Sequence, residues 1–478
     1  MSDALQPGGT PGDIWPAPTC SPAHGNQPLH ATVEVPGSKS LTNRYLVLAA
    51  LSDAPVTVRG GLASRDSELM IAALRTLGVG VDTSVPDGSW TVTPGPIHAG
   101  GHIDCGLAGT VMRFVPPLAL LAGLSGDTRP ITFDGDEGAR VRPMGPLLDA
   151  LRMLGATIDD DGRGTLPFTL TPATTVPAYV EVDSSSSSQF VTALLLVAPR
   201  LPHGLTVRHT GQTLPSLPHI DMTCATLREA GVRVDQPDER TWVVHPGALR
   251  LADVRVEPDL SNAGPFMAAA LIAGGEVRIP GWPAHTTQPG ALYPEILERM
   301  GATCTLDGNT MVVRGTGHIR GIDADLSAAG ELTPTIAALC TVADGPSTLS
   351  GIGHLRGHET DRLAALETEV TRLGGHCRAE ESSLVFGGAP DVAAPDAGLR
   401  GADVHTYHDH RMATFAAIVG LRVAGTGVHN IATTAKTMPD FARMWTTMLG
   451  CTSGNSGSVA RASSTPPLPP TPAQAPPA

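Results

Sequence analysis

Lysine is nearly missing from this chain. Lys39 and Lys436 are the only two among 478 residues, and the remaining fixed positive charge is arginine. Positive charge is scarce overall: 32 Lys and Arg face 46 Asp and Glu, a formal net charge of −14. An acidic chain of this kind is not drawn to nucleic acid or to an anionic membrane by bulk electrostatics. No apolar stretch reaches the roughly 20 residues that span a bilayer, and the N-terminus lacks a basic segment leading into an apolar one, so neither a membrane span nor a signal peptide is expected. The seven cysteines are widely spaced without a C-x-x-C pair, which excludes the usual zinc spacings and predicts reduced thiols in a cytoplasmic protein. No metal and no cofactor is expected.

What is present is repetition. A short β-rich start, a polar or Gly-rich turn and an apolar helix recur six times, as "VEVPGSKSLTNRYLVLAAL" from Val33, "IDCGLAGTVMRFVPPLAL" from Ile103, "VEVDSSSSSQFVTALLL" from Val180, "VEPDLSNAGPFMAAALI" from Val256, "IDADLSAAGELTPTIAAL" from Ile322 and "VHTYHDHRMATFAAIVGL" from Val404. A second helix ending in glycine follows each, among them "LMIAALRTLG" and "LLDALRMLG". That glycine predicts a left-handed C-cap. Copies lie roughly 65–80 residues apart, too far for a solenoid. Alternating stretches such as "WVVHPG" supply further strands. The fold class is therefore α/β, two similar domains of three units each. Residues 1–29 and the Pro/Ser-rich 452–478 have too little apolar surface to offset the entropy of ordering and are expected to be disordered extensions.

The repeat concentrates chemistry. The turn opening each apolar helix exposes unpaired N–H groups at the positive end of a helix dipole. Those turns carry Lys39, Ser40 and Arg44; Gly109, Thr110 and Arg113; Ser187, Ser188 and Gln189; His410 and Arg411. Taken singly, each reads equally well as an ordinary cap or a surface cation. Converging, they would form a positive cleft for small anionic substrates. A compact ammonium at only two places, against arginine everywhere else, points to sites where a planar fork would not serve. "GSKS" lacks the P-loop spacing. Glu331 and Glu359 are the candidate acid–base carboxylates.

In order along the chain, "PGSKSLTNR", "LAGTVMRF", "RVRPMGPLLDALRMLGA", "SSSQFVTALLL", "HETDRL", "DHRMA" and "TAKTMPDF" resemble the 5-enolpyruvylshikimate-3-phosphate synthase family over roughly residues 30–450. The resemblance implies two domains of three β-α-β-α-β-β units, an inside-out α/β barrel arrangement, with residues 30–36 plus 258–451 as one discontinuous domain and 37–257 as the other. It also implies the reaction: transfer of the enolpyruvyl group of phosphoenolpyruvate to the 5-hydroxyl of shikimate 3-phosphate, by a monomer. By resemblance, shikimate 3-phosphate meets Lys39, Ser40, Arg44, Ser187, Ser188, Gln189, Ser216, Glu331 and His358. Phosphoenolpyruvate meets Lys39, Gly109, Arg142, Gln189, Arg362, Arg411 and Lys436. Lys39, Glu331 and Glu359 carry the catalysis, and glyphosate, an inhibitor of many members, is expected to act here. The chain departs from many members at His358 (lysine), His219 (tyrosine), His354 (asparagine), Leu107 (asparagine) and Glu331 (aspartate); of these, only Leu107 is not expected to touch the site. UDP-N-acetylglucosamine enolpyruvyl transferase is the competing enzyme, but its reactive cysteine has no counterpart in "GDEGARVRP" at 135–143. A polyanion-binding module without turnover is the competing class.

Overall fold

The computed structural model describes residues 14–357, 359–388 and 398–450. Six helices are apolar on nearly every face: Lys39–Ala50, Gly109–Leu124, Gln189–Val197, Leu260–Ala273, Thr333–Thr341 and His410–Gly420. All 14 residues of Leu260–Ala273 are buried. A helix with no polar face has to be covered all round, so these six form the interior. Each is followed by a helix that buries only one side: Arg65–Thr76, Gly145–Met153, Leu217–Glu229, Tyr293–Arg299, Arg362–Arg372 and Phe441–Met448. Just beyond each lies a glycine, Gly78, Gly155, Gly231, Gly301, Gly374 or Gly450, with φ between 68° and 111°. These are the left-handed caps that the six terminal glycines predict.

Five four-stranded sheets and one three-stranded sheet complete the described fold. In the sheet containing His102–Asp104, that strand runs parallel to Ile131–Asp134, which pairs antiparallel with Phe168–Thr171, and Thr157–Asp159 lies outermost. Two units exchange their first strand. Leu29–Thr32, which precedes the Lys39 helix, pairs in parallel with Gly275–Pro280, while Val254–Arg255, which precedes the Leu260 helix, pairs in parallel with Val56–Arg59. The strand–turn–helix copies beginning at Val33 and Val256 therefore do not each stay within one unit, as the repeat suggests. The chain crosses twice, and the crossings are bonded to each other: Ser38 N donates to Glu257 O at 2.8 Å and Asp259 N to Pro36 O at 2.8 Å, with a bridge between Gly37 and Pro258.

The N-terminal expectation needs correction. Ile14–Pro16 is a strand, antiparallel to Gly427–His429, and it completes the sixth sheet on the edge of that strand opposite Asp403–Val404. Ala17 and Cys20 are buried in the adjacent core. Residues 14–29 are thus built into the fold rather than forming an extension, because the last unit would otherwise leave an unpaired edge; residues 1–13 and 452–478 lie outside the described residues. Two hydrophobic cores result. One runs from Leu41 to Val256, the other combines Ala17–Val35 with Leu260–Met448. No described helix is long and apolar enough to cross a membrane.

At Gly37 a Cβ would stand 2.0 Å from the Gly60 carbonyl oxygen, a backbone atom that cannot swing aside. Gly37→Ala should lower unfolding free energy by about 2 kcal/mol, measured by urea denaturation; an unchanged midpoint would show that the crossing has slack.

Candidate active site

The apolar helices point their N-termini at one cavity of about 170 Å³ between the two cores. Ser38, with extended backbone, caps the first helix by accepting from Leu41 N at 3.4 Å. Asp259 caps the fourth through Asn262 N at 3.0 Å and reaches across to Lys39 N at 3.1 Å. Asp409 caps the sixth through Arg411 N at 2.9 Å. Ser188 opens the Gln189 helix, and Ser187 Oγ accepts from Gln189 N at 3.3 Å. Lys39, Ser40, Arg44, Gly109, Arg142, Ser187, Ser188, Gln189, Ser216, Glu331, Glu359, Arg362, Arg411 and Lys436, scattered over 398 positions, all line the cavity. His358 lies outside the described residues.

The cations are held differently. Arg44 is buried and already occupied: Nε donates to Thr223 Oγ1 at 2.8 Å, Nη1 to Ser40 O and Nη2 to His219 O, both at 2.9 Å. Burial lowers its pKa to about 9. Arg362 grips Asp409 with two bonds, Nε to Oδ2 at 2.7 Å and Nη2 to Oδ1 at 3.2 Å. The pair is 3% and 0% exposed, so deleting one partner alone would strand a buried charge at a cost of about 3–5 kcal/mol. Arg142 donates to the Leu107 carbonyl at 3.1 Å, and the Leu107 side chain packs on the core; it is the carbonyl, not the side chain, that serves the site. Gly109 keeps this corner open, since a Cβ would come within 2.9 Å of both Arg113 and Arg142.

Arg113, marked by sequence among the helix-opening residues but matched to neither substrate, lines the cavity and ties the second and third units together through Gln189 Oε1 at 3.2 Å and Pro143 O at 3.2 Å. One further group was not marked by sequence at all. Asp66 is nearly buried and lies 3.4 Å from Lys39 Nζ. Nothing in "SRDSELM" distinguishes it from an ordinary acidic residue of a first turn. Burial lowers the Lys39 pKa, with Asp66 opposing and Lys436 then adding to the fall.

The two carboxylates sit apart in separate environments. Glu331 Oε1 lies 3.1 Å from His219 Nε2. Burial pushes its pKa up, but His219, by charge and hydrogen bond, and then Arg411 outweigh that and bring it to about 2. Glu359 Oε1 accepts from Lys436 Nζ at 2.6 Å, and Oε2 lies 3.2 Å from His410 Nδ1. Burial again opposes ionisation, and Lys436 with His410 holds the pKa well below the usual range. Glu359, Asp409 and His410 are close enough to hold a metal ion, but Lys436 and Arg362 already neutralise the carboxylates, which disfavours a further cation.

A cavity between two threefold α/β halves, ringed by helix N-termini, places the molecule among the enolpyruvyl transferases by fold. An EPSP synthase structure from Acinetobacter baumannii superposes with a TM-score of 0.71 at 23% identity, covering 90% of this chain and 96% of that one. The enolpyruvyl transferase NikO from Streptomyces tendae superposes with a TM-score of 0.66 at 20% identity, covering 88% and 95%. Sequence narrows the class. The EPSP synthase (3-phosphoshikimate 1-carboxyvinyltransferase) family model matches residues 23–445. A 3-phosphoshikimate 1-carboxyvinyltransferase from Bifidobacterium longum is 53% identical over 91% of this chain and 98% of its own length; one from Kocuria rhizophila is 53% identical over 92% and 97%. The chain belongs to the EPSP synthase family.

Because Glu359 has a depressed pKa, its charge stabilises the fold above the unfolded pKa, and that contribution is lost as pH falls through the folded value. Lys436→Met raises the folded value, so acid unfolding should begin at higher pH, followed by near-UV circular dichroism. An unmoved acid transition would show that Lys436 does not hold the charge.

Proposed function

We infer that the cleft moves the enolpyruvyl group of phosphoenolpyruvate to the 5-hydroxyl of shikimate 3-phosphate, releasing phosphate. The observation that carries this reading is the pairing of a small, strongly cationic cavity with two carboxylates in separate surroundings. Both substrates are polyanions, and a site built to store ionised carboxylates among cations suits them. On this reading shikimate 3-phosphate is held by Lys39, Ser40, Arg44, Ser187, Ser188, Gln189, Ser216, Glu331 and His358. Arg44 already spends three donors on the protein, so its share is chiefly its charge. Phosphoenolpyruvate is held by Lys39, Gly109, Arg142, Gln189, Arg362, Arg411 and Lys436. The chain works as a cytoplasmic monomer without a cofactor, and its two cores act as domains, 30–36 with 258–451 and 37–257, that close on substrate.

Glu331 accepts the 5-hydroxyl proton as the oxygen attacks, and Glu359 delivers a proton to the methylene carbon. An acid has to hold a proton, and in the free protein Lys436 and His410 favour the carboxylate. The incoming phosphoenolpyruvate reverses that balance: its own negative charge engages Lys436 and Arg411, and the Glu359 pKa rises. Lys39 balances charge on the departing phosphate, and in the second half-reaction Glu359 takes a methyl proton back as phosphate leaves.

Phosphate should appear only when both substrates are present, in a coupled phosphate assay; tight binding without release would favour a binding module. Glu359→Gln and Glu331→Gln should each lower kcat by about 10²- to 10⁴-fold while shikimate 3-phosphate still binds by calorimetry. Undiminished kcat in either variant would remove that carboxylate from the proton-transfer role.

A further inference from the structure

Between the strand Asp403–Val404 and the sixth apolar helix the backbone takes an unfavourable path. Tyr407 and His408 are consecutive residues with φ of 53° and 57°. Residues with a Cβ rarely hold the left-handed region, and two in succession persist only where their surroundings fix them. The turn delivers three groups to the site. Asp409, whose N–H donates to Thr406 O at 2.8 Å, grips Arg362 through both carboxylate oxygens. His410 Nδ1 lies 3.2 Å from Glu359 Oε2, and Arg411 lines the cavity.

The group that fixes this turn lies outside the cavity. Glu369 stands on the helix Arg362–Arg372, and its side chain is fully buried. Its Oε1 accepts from the Tyr407 hydroxyl at 2.6 Å. Its Oε2 accepts from His405 N at 3.2 Å and from Arg372 Nε at 2.9 Å. Burial, and then the bond to Glu369, raises the Tyr407 pKa, so the phenol stays a donor. Arg362 and Glu369 are two turns apart on one face of the helix, about 10 Å along its axis. One helix therefore holds the turn at two places, Arg362 on Asp409 and Glu369 on Tyr407 and His405. Neither Glu369 nor Tyr407 is among the residues that line the cavity.

We propose that Glu369 is a positioning residue for the phosphoenolpyruvate side of the site: through Tyr407 and His405 it sets the turn that aims Asp409, His410 and Arg411. This rests on the reading of Arg362 and Arg411 as the grip on phosphoenolpyruvate. A buried carboxylate is tolerated only while its oxygens are bonded, so the bonds to Tyr407 and His405 select one arrangement of the turn rather than a range. Without them nothing offsets the left-handed strain at Tyr407 and His408. Relaxation to negative φ would swing Asp409 off Arg362 and Arg411 off the cavity. The elements assigned to shikimate 3-phosphate, from the Lys39 helix to Ser216, belong mostly to the other core, so the disturbance falls on one substrate and not on both.

Tyr407→Phe removes one bond and keeps the packing. Glu369→Gln keeps the shape but sets an amide donor against the donors that Glu369 Oε2 now serves. Steady-state kinetics at saturating shikimate 3-phosphate should show KM for phosphoenolpyruvate raised on the order of tenfold in Tyr407→Phe, and kcat/KM for it lowered on the order of 10²-fold in Glu369→Gln. Shikimate 3-phosphate affinity, by calorimetry, should stay within about twofold in both. If Glu369→Gln does not fold, Tyr407→Phe decides alone. Loss of folded protein lowers kcat and leaves KM where it was; that result, or a phosphoenolpyruvate KM within about twofold of the unsubstituted protein, overturns the inference. An equal loss of affinity for both substrates marks a general structural role and overturns it too. Should the unsubstituted protein release phosphate without regard to phosphoenolpyruvate, the reading of the grip falls and the inference with it. Normal dependence there, beside unchanged variants, overturns the inference alone.

Discussion

Seven cationic side chains face one small cavity: Lys39, Arg44, Arg113, Arg142, Arg362, Arg411 and Lys436. Their mutual repulsion, in a space largely removed from water, is the constraint around which the molecule is arranged. Burial lowers the pKa of Lys39, Arg44, Arg113 and Arg142, so each charge is kept at a free-energy cost. The protein offsets that cost locally. Asp66 faces Lys39, Asp409 grips Arg362 and Glu359 binds Lys436, while Arg44 and Arg142 lean on carbonyl oxygens. The compensation is incomplete by design of the lining: Nε of Arg113 and of Arg142 has no hydrogen-bond partner among the described residues. The lining therefore keeps a surplus of positive charge, which favours a polyanionic occupant.

The apolar helices carry four of these cations, Lys39, Arg44, Arg113 and Arg411. Because Leu260–Ala273 and Gln189–Val197 have almost no polar face, they cannot lie on the surface, and their only polar ends have to open toward a shared solvent-filled space. The crossing at Ser38–Glu257 and Pro36–Asp259 ties the two cores at the point where the cleft begins. Lys39 is the first helical residue after that crossing. Its backbone is fixed to Asp259, on the far side of the crossing, and its ammonium to Asp66, within its own half. Lys39 is therefore tied to both sides of the crossing, through its backbone and through its ammonium. A flexible stem lets the ammonium meet Asp66 and still face the cavity, whereas a guanidinium fork needs its partner in one plane.

Much of this was legible in the sequence, because repetition is local. Six apolar helices, their polar openings and their terminal glycines can be read within windows of about twenty residues, and the helix-opening turns named most of the cavity lining. What escaped was pairing between distant segments. Val33 and Val256 begin equally good strands before equally good helices, and nothing nearby says that their strands change places; only the partners at Arg278 and at Arg59 decide it. "IWP" near the N-terminus is three residues in a Pro- and Gly-rich segment, and its value comes wholly from the open edge at Gly427–His429. Asp66 was unreadable for the same reason: its charge matters through Lys39, 27 positions earlier.

The histidines show how a departure from a family pattern becomes interpretable once geometry is known. In sequence, His219 in place of tyrosine and Glu331 in place of aspartate are two separate oddities. Across the cleft they are one contact at 3.1 Å. A tyrosine hydroxyl and an imidazole N–H can each donate a hydrogen bond to a carboxylate, but only the imidazole can also carry positive charge, so the substitution changes the electrostatics of the pair and not only its shape. The longer glutamate reaches farther than aspartate by one methylene, which matches a partner mounted on the opposite core. The two replacements therefore read as a single adjustment, one contact supplied jointly from both halves of the molecule.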